Sequence, residues 1–216
     1  MKKELDYFYI EELYGGNQEL FSDRWMQIGG CAAVTACDLS IYLAKYKGIR
    51  GISPDPVEPL TKAQYEAFAM EMKPYLHPRF TGIDRLDIYM DGYEAYLRER
   101  GCESITLEGF SGDADFSLAR KALIEELDAG YPVPFLNLRH KDPEFEDFVW
   151  HWFLLTGYEL RIQETETPLP DAWASREEQL LVKAVSYGEA VWFDFRKLWD
   201  TGYDRKGGMI LLHSMD

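Results

Sequence analysis

The chain has 216 residues, 46% of them hydrophobic and 15% aromatic, which suits one large domain with an ample core. Acidic residues outnumber basic ones 38 to 23, leaving a net charge of −15. A surface of that sign repels phosphate backbones and anionic lipid, which argues against nucleic acid and membrane as partners.

Residues 1–30 are aromatic and acidic without a clear period and read as an extended arm with one short strand. Lys2 and Lys3 are not followed by the apolar stretch of a signal peptide, and no apolar run in the chain approaches the roughly 18 residues of a membrane span. Gly29 and Gly30 lead into Cys31, which opens a helix predicted over residues 31–46 and stopped by Gly48. Its apolar residues lie on most sides, so it belongs in the centre of the domain. A loop with Pro54, Pro56 and Pro59 follows. Thr61 caps a helix carrying Tyr65, Phe68 and Met72, and Asp84 caps another carrying Tyr89, Tyr93, Tyr96 and Leu97. Ser104–Leu107 is a short strand, and Asp113 or Asp115 starts a further helix with Ala119, Leu123 and Leu127 inward. The remainder changes character. Pro132–Leu138, Val149–Leu160, Gln179–Tyr187, Ala190–Phe195 and Met209–His213 are apolar or alternating runs of strand length, with a helical turn near Phe195–Asp200. Residues 161–178 read as a long exposed loop. Helices first and a mostly antiparallel sheet afterwards make an α+β fold, a single domain over 1–216 with a helical lobe at about 31–130 and a sheet lobe at about 131–216.

The chemistry is expected at Cys31. A thiol at a helix N-terminus meets free backbone N–H groups and the positive end of the helix dipole, both of which favour thiolate. Of the four histidines, His151 stands at the start of an apolar strand between Trp150 and Trp152, where a base would be shielded from water. The plainer readings are a core cysteine and a satisfied core histidine. Cys37 and Cys102 read as structural. Three cysteines make no disulfide framework and leave at least one free thiol, which points to a reducing cytoplasm. No metal-binding spacing occurs, and neither a metal nor a cofactor is expected.

Gly30-Cys31 opening a long apolar helix, followed in order by His-aromatic-Phe-Leu-Leu-Thr-Gly-Tyr at residues 151–158, resembles the papain-like cysteine peptidase superfamily, closest to its C39-like branch. The resemblance implies a papain-like fold in which Cys31 is the nucleophile and His151 the general base and acid. An amide or peptide bond would be cleaved through a thioester, with a peptide or small acyl or amide compound as substrate. It implies an oxyanion glutamine upstream, for which Gln27 is the nearby candidate although it lies only four residues before Cys31. It also implies an Asn that orients the histidine. Pairing Tyr158 with Gln179 places His151 across from Ser186, in Val185-Ser186-Tyr187-Gly188, and Val185 stands where the Asn is expected. Ser186, or Asp194 on the next strand, is then the candidate third residue. Two alternatives stay open: an acyl or peptidyl transferase using the same thioester, and a papain-like binding protein without activity.

Overall fold

The structure, a computed structural model, describes residues 1–55, 59–79, 82–163 and 177–214. In chain order it has β1 (Lys2–Glu4), β2 (Tyr9–Ile10), β3 (Leu13–Tyr14), α1 (Arg24–Gly29), α2 (Cys31–Lys47), α3 (Lys62–Met72) and α4 (Leu86–Glu99). Then come β4 (Ile105–Ser111), α5 (Phe116–Asp128), β5 (Val133–Asn137), β6 (His151–Gln163), β7 (Glu177–Ser186), β8 (Glu189–Asp194), α6 (Phe195–Trp199) and β9 (Gly208–Ser214). The class is α+β. One sheet runs in the order β4-β9-β5-β6-β7-β8 with every neighbour antiparallel. β1 joins β6 at Gly157–Glu159, beyond the point where β5 ends opposite Leu155.

Helix α2 is the centre of the molecule. Every residue from Cys31 to Leu43 is buried, so the helix has no solvent face until its last turn. Gly48 ends it at φ 72°, where its N–H bonds the Leu43 carbonyl, and Lys45 and Lys47 sit at the negative end of the dipole. Burying side chains such as Leu39, Ile41 and Leu43 contributes about 2 kcal/mol each. The helix lies between the sheet and α3 and α4. Tyr65 of α3 and Tyr93 of α4 reach it through hydrogen bonds to Asp38 and Ser40.

Several sequence expectations change in detail. The arm at residues 1–30 holds three short strands and α1, not one strand. Only Gly30 separates α1 from α2, so the first glycine of the pair ends a helix instead of lying in an extended arm. The strand foreseen at Ser104–Leu107 extends to Ser111 and pairs with β9, so the sheet draws strands from both halves of the chain. Of the loop expected at 161–178, residues 161–163 and 177–178 belong to β6 and β7, and residues 164–176 lie outside the described residues. Among the described residues, no helix is long and apolar enough to cross a membrane.

Candidate functional site

Cys31 and His151 line the same groove, of about 390 Å³, together with Gln18, Gly29, Trp150 and Tyr187. Both are 5% exposed. The thiol starts α2 and the imidazole starts β6. β7 pairs with β6 only from Leu154 onward, so His151 and Trp152 lie past the end of that ladder. Burial pushes the Cys31 thiol up. The backbone N–H groups of Trp152, Ala32 and Cys31 itself pull it the other way and are outweighed. This corrects the expectation that the helix N-terminus would leave a thiolate: desolvation exceeds the backbone donors.

The imidazole is held at both nitrogens. Nε2 lies 2.6 Å from Ser186 Oγ, and Nδ1 lies 3.4 Å from the Tyr187 hydroxyl. The Tyr187 ring stacks on the imidazole with centroids 4.6 Å apart and 4° between planes, while Phe148 meets it edge-on at 6.1 Å. Burial lowers the His151 pKa to about 4, so the ring is neutral at neutral pH. Thiol and imidazole therefore rest uncharged, not as a thiolate–imidazolium pair.

Ser186 reaches the ring by a register other than the one foreseen. Leu154 pairs with Val185, and a bulge between Leu155 and Gly157 shifts the ladder. Continuing the pairing from Leu154 puts Ser186 across from Phe153. His151 is two residues further along the same face, so the contact is diagonal. Val185 alternates with Ser186 along the strand and lines the narrow space shared with Val34 and Leu154. Direct cross-strand pairing instead brings Asn137 of β5 opposite His151. That side chain is buried, and neither atom of its amide has a partner among the described residues.

Backbone strain brackets the imidazole. Trp150 and Tyr187 are two of three non-glycine residues at positive φ among the described residues, at 54° and 52°. Tyr187 and Gly188, at φ 76°, form the two-residue turn between paired Ser186 and Glu189. Two left-handed residues in such a turn make it type I′, whose twist suits the hairpin. The first of them carries the ring that covers His151.

The other two sequence candidates are not brought to the thiol and imidazole. Gln27 is exposed on α1 and is absent from the groove. Its carbonyl accepts a hydrogen bond from Gln18 Nε2 at 3.0 Å, and it is Gln18 that lines the groove. The Gln18 amide carries a second N–H, and its Oε1 is buried without a partner among the described residues. Asp194 sits at the opposite end of β8 from the Tyr187 turn, five residues on from Glu189 and so about 17 Å along the strand. There it caps α6, accepting from Lys197 N–H at 3.1 Å and from Gln179 Nε2 at 2.7 Å. The remaining histidines are engaged elsewhere: His77 with the Pro78 carbonyl, His140 with the Lys197 carbonyl and His213 with Glu108.

Asp38, two turns along α2 from Cys31, explains how Gln18 and Tyr187 arrive. Cys31, Val34, Thr35 and Asp38 share one helix face and line a narrow space that also touches Gly16, Gln18, His151 and Ser186. The Asp38 carboxylate is buried and accepts from Gly16 N–H at 2.9 and 3.1 Å, Tyr7 at 3.0 Å and Tyr65 at 2.7 Å. Burial raises its pKa to about 6 against these hydrogen bonds. Gly16 fits because it has no side chain: a Cβ would lie 1.9 Å from Tyr65 Oη. From that anchor Gly16 accepts from Gly188 N–H at 3.0 Å, and Asn17 Nδ2 donates to the Tyr187 carbonyl at 3.1 Å. Asn17 Oδ1 also caps the short 3-10 turn that presents Gln18. An acid at the seventh position after a helix-starting cysteine was a visible signal. Gln18, thirteen residues ahead of Cys31, left none.

No family model matches this chain, and neither does any curated protein or solved structure. Among the described residues, no group of three or more His, Cys, Asp or Glu side chains is placed to hold a metal.

Proposed function

We propose that the protein is a cysteine hydrolase of papain-like architecture that cleaves an amide or peptide bond, with Cys31 as nucleophile and His151 as its base. The observation that carries the reading is one groove lined by a thiol at a helix start and an imidazole whose Nε2 is held by Ser186 at 2.6 Å. Ser186 fixes the ring and leaves Nδ1, whose contact with Tyr187 is long at 3.4 Å, as the nitrogen to take a proton. In the step proposed, Cys31 sulfur bonds the substrate carbonyl carbon and its proton passes to Nδ1. The leaving amine then departs with that proton, and a thioester remains. The Cys31 N–H and the free N–H of Gln18 are the donors available to the carbonyl oxygen. Because both groups rest neutral, the proton moves only as the substrate arrives. Three free thiols among the described residues fit the reducing cytoplasm as location.

The same thioester serves an acyl or peptidyl transferase, and the two differ only in whether water or an amine takes the acyl group. A non-catalytic reading rests on one observation: burial drives the Cys31 thiol up and the His151 imidazole down, away from a reactive pair.

p-Nitrophenyl acetate separates the readings. Acyl transfer predicts nitrophenolate release with a hydroxylamine-labile acetyl group on Cys31 by peptide mass spectrometry, absent in Cys31→Ala and slowed about a hundredfold in His151→Ala. Capture of the acetyl group by added glycylglycine in preference to water marks a transferase. Failure of Cys31 to acylate faster than Cys37 and Cys102, with His151→Ala unchanged, overturns the reading.

A further inference from the structure

The groove has a wall that acyl transfer itself does not require. Arg79 is among its lining residues, and among the described residues no carboxylate forms an ion pair with Arg79. Arg24, Arg50, Arg98, Arg139 and Arg196 likewise form no ion pair with a described carboxylate, so what sets Arg79 apart is its place in the groove. Elsewhere Arg85, Arg100, Arg120, Arg161 and Arg205 each hold an Asp or Glu. Among the described residues, no acidic one lines this groove. Its apolar surface is supplied by Ile28, 61% exposed, and Trp150, 39% exposed.

A second cation reinforces the first. Trp150 also lines an adjoining cavity of about 400 Å³ with Arg139, Tyr203 and Arg205. The Arg139 guanidinium lies 5.3 Å from the Trp150 ring centroid and 5.9 Å from that of Tyr203, and it too forms no ion pair with a described carboxylate. Arg205 is neutralised by Asp84 at 2.5 Å, and among the described residues Asp204 is the one acid lining this second cavity. The thiol thus sits beside a locally cationic, apolar-walled pocket on a molecule that is anionic as a whole. An exposed guanidinium is a planar donor fork that fits a carboxylate, and an apolar wall beside it fits an aliphatic or aromatic side chain.

We propose that the Cys31–His151 groove selects substrates that carry a carboxylate next to an apolar side chain, with the carboxylate on Arg79 and the side chain against Ile28 and Trp150. The inference rests on the reading of this groove as the substrate site. It reverses what the overall charge suggests, since net charge governs long-range approach and the pocket governs the bound state.

The test uses binding, not turnover, on the full chain with Cys31→Ser. N-acetyl-leucine and N-acetyl-leucinamide differ only in the carboxylate, and titration of each is followed by NMR. The acid is expected to bind about tenfold more tightly than the amide, the effect of one charge-assisted hydrogen-bonded pair. Arg79→Gln is expected to erase that difference while leaving the amide's affinity unchanged, and Arg79→Lys to retain most of it. Equal affinities in the parent, a preference that survives Arg79→Gln, or no binding of either compound overturns the proposal. Loss of Cys31 acylation with the acid preference intact removes the nucleophile reading alone, and the reverse pattern removes this inference alone.

Discussion

Replacing Asp38 by asparagine tests whether a buried charge organises the site. The carboxylate has no cation beside it; three hydrogen-bond donors hold it, and burial still lifts its pKa from 3.8 to about 6. A shift of about 2 pH units corresponds to about 3 kcal/mol between its protonated and ionised forms. Between pH 4 and 6 the folded protein holds a proton at Asp38 that the unfolded chain has released. Stability from this group therefore falls as pH rises through that window and is flat above it. Two other buried groups titrate over overlapping ranges. Glu126, raised to about 7 by burial, slopes the same way. His151, lowered to about 4, slopes the opposite way, because the unfolded chain takes the proton more readily. The wild-type profile alone therefore cannot isolate Asp38, but the difference between wild type and Asp38→Asn can. Urea unfolding at a series of pH values should show the variant gaining about 3 kcal/mol on wild type from pH 4 to pH 7.5. A difference that stays constant with pH would refute the reasoning, whatever its size.

Ser186→Ala leaves His151 Nε2 buried without a partner and should lower stability by about 1–3 kcal/mol, read as a shift in urea midpoint at unchanged slope. A shift of only a few tenths would mean that the 2.6 Å contact holds nothing. Gly16→Ala drives a Cβ to 1.9 Å from Tyr65 Oη and should cost more than about 3 kcal/mol. The same Cβ would lie 2.4 Å from Tyr65 Cζ, which Phe keeps, so adding Tyr65→Phe should recover little of that loss, and full recovery would contradict the steric account. By NMR, the His151 ring protons should titrate near pH 4, and a midpoint close to the ordinary 6.5 would show the ring to be solvated.

The sequence made part of this molecule legible, for local reasons. Helix α2 is announced by Gly30, an unbroken apolar run and Gly48, and strand β6 by apolar residues of strand length. Those two elements carry Cys31 and His151. The pairing of Tyr158 with Gln179 was three residues out, since Tyr158 pairs with Val182, and the bulge between Leu155 and Gly157 reduced the error to two at His151. A shift of two keeps a strand's side chains on the same face, so Ser186 remained within diagonal reach. What stayed hidden was set by contacts across the chain. Gln18 enters the groove because Asp38 holds Gly16 from another element, and nothing near residue 18 encodes that. Arg79 shows its character only once the distribution of the acids in space is known. The thiol's raised pKa is likewise a property of burial, which overrides a helix-end rule that sees only neighbours in sequence.

Gly30 lets two helices meet at a single residue. A Cβ there would lie 2.3 Å from the Met26 carbonyl, so the last turn of α1 closes onto α2 only because this position has no side chain. Ile28 and Gly29 line the groove from one side of this position and Cys31 from the other. A side chain at position 30 would press on the turn that joins them, so the groove wall and the reactive atom depend on the same missing Cβ.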